Sequence, residues 1–238
     1  MLRIGVWLLS ALCTLIVPQP GWAAIAFDAF TGGTSGVSPK TVAHTVTTTG
    51  ANTGVYALVF DNAANTVTGC TYNGTAMTLR ANHSASASSI YEWIGTSTSG
   101  AKNVVCSATS GTLYLSIISF TGVSAFDASN NGFNFGTTPL NIPITTVAAD
   151  CFAVAMLYDS GQSSTPTAGA GTTKAGANGD YSGIATFYST ASLGAAGAKN
   201  LVANVATAGN NNYVIVSFSP SGGGGGAETF GFRKRLQQ

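Results

Sequence analysis

Two histidines, one glutamate among aromatic residues and a recurring aspartate are the side chains of this sequence best suited to chemistry. Glu92 sits in Ile90-Tyr91-Glu92-Trp93-Ile94, where a carboxylate could serve glycoside hydrolysis. That reaction needs two placed carboxylates, and Asp127, Asp150 and Asp180 fall in distant loops. His44 lies in Val42-Ala43-His44-Thr45-Val46 and shares a strand face with two valines. His83 lies in the polar stretch Asn82-His83-Ser84, with no second histidine near it. A zinc site wants three or four clustered ligands, and neither spacing supplies them. Asp61 and Asp159 each end an extended run before a turn, where aspartate caps backbone N–H groups. A calcium site would need more oxygens; Asn62 and Asn65 could help the first aspartate, and only Ser160 the second. The patterns Gly-x-Ser-x-Gly and His-Glu-x-x-His and a phosphate-cradling glycine loop are absent. No catalytic residue, metal site or cofactor is therefore expected.

Binding is the other chemistry to consider. Sugars are held by exposed aromatic rings beside amides, and Phe133, Phe135 and Tyr181 are the candidate ligand-binding residues. The first two belong to a polar, glycine-bearing segment from Ser124 to Pro139 that also carries Phe126. Three phenylalanines in such a stretch either pack over the fold as it crosses or form an exposed binding loop.

These residues gain an internal control because the chain is written twice. Gly100-Ala101-Lys102-Asn103-Val104-Val105 returns as Gly197-Ala198-Lys199-Asn200-Leu201-Val202, 97 residues later. Tyr56 to Asp61 returns as Val154 to Asp159, and Ser119-Phe120 as Ser217-Phe218, both at 98. Self-similarity at a fixed spacing decides the architecture before any motif is weighed. At these offsets His44 falls opposite Ile142, while matching Ile90 with Ile184 sets Glu92 opposite Thr186 and Trp93 opposite Phe187. Positions that accept isoleucine, threonine or phenylalanine read as scaffold. Cys106 falls opposite Ala203, and Cys70 opposite Thr167 or Ala168. Cys70 and Cys106 share one copy and are the expected disulfide, the alternative being three buried thiols. Cys151 is left over, either buried or available to another chain.

The elements that hold these residues read as strands. Short β-branched and aromatic runs recur between Gly, Asn and Ser clusters, without a helical stripe. The first copy places strands near 41–49, 54–61, 66–72, 75–80, 89–95, 102–108 and 112–121. The second places them near 140–147, 151–159, 183–190, 199–207 and 212–219, with a weaker piece at 165–175. Asn73-Gly74 between extended runs signals a two-residue type I′ hairpin. Tyr72 then opposes Thr75, Cys70 opposes Met77 and Thr68 opposes Leu79, so Cys70, Tyr72, Met77 and Leu79 share the core face. The segment Thr71-Tyr72-Asn73-Gly74-Thr75-Ala76-Met77-Thr78 resembles a hairpin of uncharacterised bacterial secreted and phage-associated β-sandwich proteins. The resemblance implies a β-sandwich and transfers no site. The runs Val55 to Phe60 and Phe152 to Tyr158 do not alternate, which points to strands covered on both faces. The predicted fold is all-β, a jelly-roll-like β-sandwich made of two homologous halves, about 40–123 and 139–220; the alternative is two tandem immunoglobulin-like domains.

The ends and the composition place the protein. Met1-Leu2-Arg3, the apolar run Ile4 to Val17 and the break at Pro18-Gln19-Pro20 read as a secretory signal over 1–23, with cleavage after Ala23 or Ala26. The run is shorter than the roughly 20 residues a membrane span needs. The duplicated sandwich is expected over 27–220, then residues 221–238: five glycines, Gly222 to Gly226, as a tether for a terminal peptide with Arg233, Lys234 and Arg235. Only 7% of residues are charged and the net charge is +1, so no field steers nucleic acid. A surface of hydroxyls and amides suits self-association or surface glycans. The expected function is a secreted, non-catalytic structural or adhesive protein of a cell surface, matrix or assembled particle. A glycan-binding module is the alternative, and a glycan-active enzyme the least favoured.

Overall fold

The computed structural model describes residues 24–221 apart from 64–65, 85–86, 137, 160–164, 178–182 and 207–208. The signal, the tail from 222 and Tyr181 lie outside the described residues. The first half comprises β1 (Ala26–Val37), β2 (Lys40–Val46), β3 (Gly50–Asp61), β4 (Val67–Tyr72), β5 (Thr75–Ala76), β6 (Thr78–His83), β7 (Ser88–Ser97), β8 (Gly100–Ala108) and β9 (Thr112–Thr121). The second comprises β10 (Val123–Gly136), β11 (Leu140–Thr146), β12 (Phe152–Asp159), β13 (Thr167–Ala168), β14 (Thr172–Ala177), β15 (Ile184–Ser189), β16 (Gly197–Asn204) and β17 (Gly209–Pro220). Among the described residues no helix is long and apolar enough to cross a membrane.

Every strand pair is antiparallel, and the two halves share one topology. The first half pairs β1-β9-β3-β7-β6 in one sheet and β2-β8-β4-β5 in another. The second pairs β10-β17-β12-β15-β14 and β11-β16-β13. Each is the jelly-roll order, two facing sheets between which the chain crosses repeatedly. The hydrophobic pattern explains the layers. In β2 only Val42, His44 and Val46 are buried, and in β11 only Leu140, Ile142, Ile144 and Thr146, as expected for outer sheets with one wet face. By contrast β3 is buried without interruption from Thr53 to Asp61, and β17 from Tyr213 to Phe218.

Those uninterrupted runs arise because the two five-stranded sheets pack against each other. Val55, Ala57 and Val59 face the core of the first half, while Tyr56, Leu58 and Phe60 face a middle core shared with Val154, Met156, Val214, Val216 and Phe218. Ala153, Ala155 and Leu157 face the core of the second half. The molecule is thus four sheets deep with three apolar layers. Its middle layer is the aromatic one: Tyr56 stacks on Phe218 at 4.7 Å, Phe120 lies 4.9 Å from Phe218, and Phe60 lies 4.7 Å from Tyr158.

Three local readings change. The halves begin earlier than the repeats suggested, since β1 and β10 precede them; the segment read as a connector is the first strand of the second half, paired with β17 along its length. Its runs of Gly, Ser and Asn hide a strand whose extended form is imposed by the neighbouring ladder. The hairpin turn is as expected, with Asn73 and Gly74 at φ 49° and 79° and Tyr72 opposite Thr75. After Met77, whose N–H reaches Cys70 O at 2.9 Å, the chain crosses to the inner sheet. Leu79 therefore pairs with Tyr91, not Thr68, and is 45% exposed.

The shared middle layer makes the halves one cooperative unit. Phe120→Ala removes a ring that touches both halves and should cost about 3–5 kcal/mol. Urea unfolding should remain a single transition, shifted to lower urea, when followed by probes in either half; two separated transitions would contradict the shared core.

Candidate functional site

The polar residues at the start of each half are organised by an aspartate in a strand bulge. Asp28 lies at the bulge between Phe27 and Ala29, and Asp127 at the matching bulge between Phe126 and Ala128. Asp28 accepts hydrogen bonds from Thr48 N at 3.1 Å, Thr47 N at 3.3 Å and Ser119 Oγ at 2.7 Å. Asp127 accepts from Ala148 N at 2.7 Å, Val147 N at 3.1 Å and Ser217 Oγ at 2.7 Å. The recurring Ser-Phe pair is explained: the serine anchors the bulge and the phenylalanine fills the middle core. Burial alone would raise the Asp28 pKa, but the bonds from Thr47, Ser119 and Thr48 outweigh it and hold the carboxyl below its ordinary value.

His44 joins this cluster, which gathers serine, histidine and aspartate in one place. Its Nε2 lies 2.9 Å from Ser119 Oγ, and its Nδ1 3.0 Å from Thr31 Oγ1. The Ser119 proton goes to Asp28, so Nε2–H donates to Ser119 and Nδ1 accepts from Thr31. A nucleophilic triad requires the reverse, with the histidine taking the serine proton and the aspartate steadying the histidine. The ring is fully buried, and burial lowers its pKa to about 4 despite the nearby Asp28. His44 is a neutral scaffold residue. Sheet register pairs it with Lys102, and Lys199, the counterpart of that lysine, pairs with Ile144. The counterpart of His44 is therefore Ile144, not Ile142.

Glu92 is also walled in. It shares the middle face with Tyr56, its register partner, and is 3% exposed. Burial raises its pKa, opposed by Arg80, whose Nε lies 2.6 Å from Oε2. Arg80 in turn sits over the Phe126 ring at 4.4 Å, so this ion pair pins β6 to β10 across the halves. Burial, then the Glu92 charge, raises the Tyr56 pKa well above its ordinary value. Register also revises the matching of β7 with β15: Ala57 pairs with Tyr91 and Ala155 with Phe187. Tyr91 is thus the counterpart of Phe187, and Glu92 that of Tyr188. Half-buried Trp93 packs 4.8 Å from Tyr72.

The remaining polar candidates are structural too. Asp61 caps its turn through Ala63 N and Thr66 N, both at 3.0 Å, and through the Thr66 hydroxyl. Its own N–H reaches Ala87 O at 3.0 Å, as Asp159 N reaches Gly183 O at 2.8 Å. Among the described residues no three His, Cys, Asp or Glu gather as metal ligands. Cys70 and Cys106 face one another across β4 and β8 and are disulfide-bonded. Ala168 and Ala203 take the same places in the second half. Cys151 is buried, and burial together with Asp127 pushes its thiol up to about 12.

The exposed feature is on the rim of the second half. Phe126 is packed into the middle core, whereas Phe133 and Phe135 are 58% and 73% exposed, with centroids 5.4 Å apart and rings at 86°. Along β10 and β17, Phe133 pairs with Asn212 and Phe135 with Asn210, so two rings and two amides share one face. Tyr158 pairs with Asn212 on the far side. Asn130 and Asn134 point the other way, where their Nδ2 groups donate to Pro143 O and Asn141 O of β11. The sequence singled out both phenylalanines; the asparagines opposite them could be found only from register. A separate groove of about 610 Å³ opens beside the disulfide, walled by Val67, Met77, Leu79 and Tyr91. No family model, curated protein or solved structure matches the chain.

The cluster around His44 makes stability depend on pH. A histidine held at about 4 when folded and at 6.5 when unfolded leaves the unfolded chain with more bound protons between those values. Stability should therefore fall by about 3 kcal/mol as pH drops from above 6.5 to below 4. The raised Glu92 works in the opposite sense, since its contribution is lost as pH rises through its folded value. The His44 share is thus the difference between the parent and His44→Leu, read as urea midpoint against pH, and His44→Leu should be the flatter in that window.

The disulfide can be removed without disturbing the fold, because the other half already carries alanines there. Cys70→Ala with Cys106→Ala should retain the β-sheet circular dichroism. It should lose about 4 kcal/mol of unfolding free energy, as expected for closing a loop with a sequence separation of 36. An unchanged urea midpoint would show that the bond contributes nothing.

Proposed function

We propose that the protein is an exported, non-catalytic structural or adhesive module of a cell surface, matrix or assembled particle. The observation that carries this reading is the contrast between its polar groups and its rim. Glu92, His44, Asp28 and Asp61 are engaged in scaffold hydrogen bonds, whereas Phe133 and Phe135 stand exposed on a face without charge. A paired aromatic patch of that kind marks contact with another surface. The low charge removes the repulsion that keeps ordinary secreted proteins apart.

Glycan binding is the second reading, favoured by the amides of Asn210 and Asn212 opposite the rings. The near-perpendicular rings count against it, since successive sugars stack best on faces that lie in one plane. Surfaces coated with the exported chain should retain beads that carry the same protein or matrix polysaccharide. Phe133→Ala with Phe135→Ala should reduce retention at least tenfold while leaving the circular dichroism unchanged. Release of reducing sugar from a polysaccharide panel, abolished by Glu92→Gln, would overturn the non-catalytic reading.

A further inference from the structure

We infer that two copies of this chain pair antiparallel through the open edge of β10, joining their five-stranded sheets about a two-fold axis. This inference rests on the structural or adhesive reading and names the contact that serves it. A sheet edge presents unpaired N–H and C=O groups, and proteins that must stay single blunt their edges with bulges, lysines or prolines. The first half does so. Its edge strand β1 has two register shifts, between Phe27 and Ala29 and between Thr31 and Thr34. Lys40 also folds back along it, with Nζ 2.7 Å from Ser35 O.

The second half lacks the mid-strand shift and the lysine. β10 also has two shifts, between Val123 and Ala125 and between Phe126 and Ala128, but both precede Ala128, and it then pairs with β17 without interruption to Gly136. That stretch, Ala-Ser-Asn-Asn-Gly-Phe-Asn-Phe-Gly, contains no Lys, Arg, Asp, Glu or Pro. By register the place of Lys40 is taken by Leu140, which is turned into the core at 3% exposure. Phe133 and Phe135 stand where the first half has Ser35 and Val37. One face of β10 is occupied internally, because Asn130 and Asn134 bond to β11. The other carries Asn131, Phe133 and Phe135. A two-fold axis normal to the sheet keeps that face on the same side in both copies, so four phenylalanine rings meet over the new strand pair. Such an isologous contact uses up both edges and closes at a dimer. Neutral edges of this composition meet without the like-charge repulsion that would reject a second copy.

The test is sedimentation of the exported chain with its tail, together with cysteine cross-linking. The parent should sediment as a dimer, and Phe133→Lys with Phe135→Lys as a folded monomer. Val37→Lys, at the matching place in β1, should leave the dimer intact. In case the lysine variant fails to fold, Asn131→Cys, Phe133→Cys and Phe135→Cys are compared under mild oxidation. At least one should give a cross-linked dimer, while Val37→Cys should not. A parent that is monomeric across the concentration series, with no cross-link at any of the three positions, overturns the inference. If that monomer still retains matrix polysaccharide, the adhesive reading survives without the edge pairing. If its amide signals at 131–135 and 210–212 shift on adding a neutral polysaccharide, the edge serves a glycan instead. A monomer that adheres to nothing removes both.

Discussion

The contact between the two five-stranded sheets is the constraint on which the remaining structure depends. A sheet with both faces covered must be largely apolar on successive residues, and a charge within it is costly unless it is paired. This accounts for the unbroken burial of β3 and β17 and for the large rings of Tyr56, Phe120 and Phe218 between them. It also accounts for the form the buried polarity takes. Glu92 enters the middle layer with Arg80 as its counter-charge, and Arg80 spreads its own charge over a ring of the opposite half. Removing one member of such a group would strand the others at greater cost than the group contributes as a whole.

Duplication lets equivalent places be filled by different physics. Where the first half sets His44, hydrogen-bonded on both ring nitrogens, the second sets Ile144. Where the first joins Cys70 to Cys106, the second places Ala168 against Ala203. Glu92 is answered by Tyr188, which stacks on Phe27 at 5.1 Å across the interface. What both halves retain is the bulge aspartate with its serine, together with the turn aspartate. The two bulge aspartates and Asp61 satisfy backbone N–H donors that no change of side-chain volume could replace. Apolar positions tolerate exchange because the layer requires only filling.

This difference also explains what the sequence made legible. Alternation in β2 and β11, the Asn-Gly turn and the non-alternating inner strands followed from local chemistry, and so did the reading of a β-sandwich. The pairing of counterparts followed only in part. A single offset cannot hold where loops differ in length: Val42 matches Ile142 at 100, Tyr56 matches Val154 at 98, and Tyr91 matches Phe187 at 96. Similarity of side chain drew Ile90 to Ile184 and with it Trp93 to Phe187, whereas the ladder sets Trp93 two residues off that match. β1 and β10 were illegible for another reason. Their glycines, serines and asparagines have little intrinsic preference for extension, and a neighbouring strand supplies what the residues lack.

That borrowed extension bears on the rim of the molecule. A strand held by its neighbour on one side has its conformation already fixed on the other, so ordering it for a further partner carries little entropic cost. In β1 the second bulge and Lys40 spoil the template. In β10 the same template is regular and neutral from Ala128 on and topped by two rings. An isolated exposed apolar residue such as Val37 is ordinary on a protein surface. Two phenylalanines in edge contact, on a strand with no charge after Asp127, are a different matter. Their ring surface stays wet in the single chain, and the unguarded edge beside them provides the means to cover it.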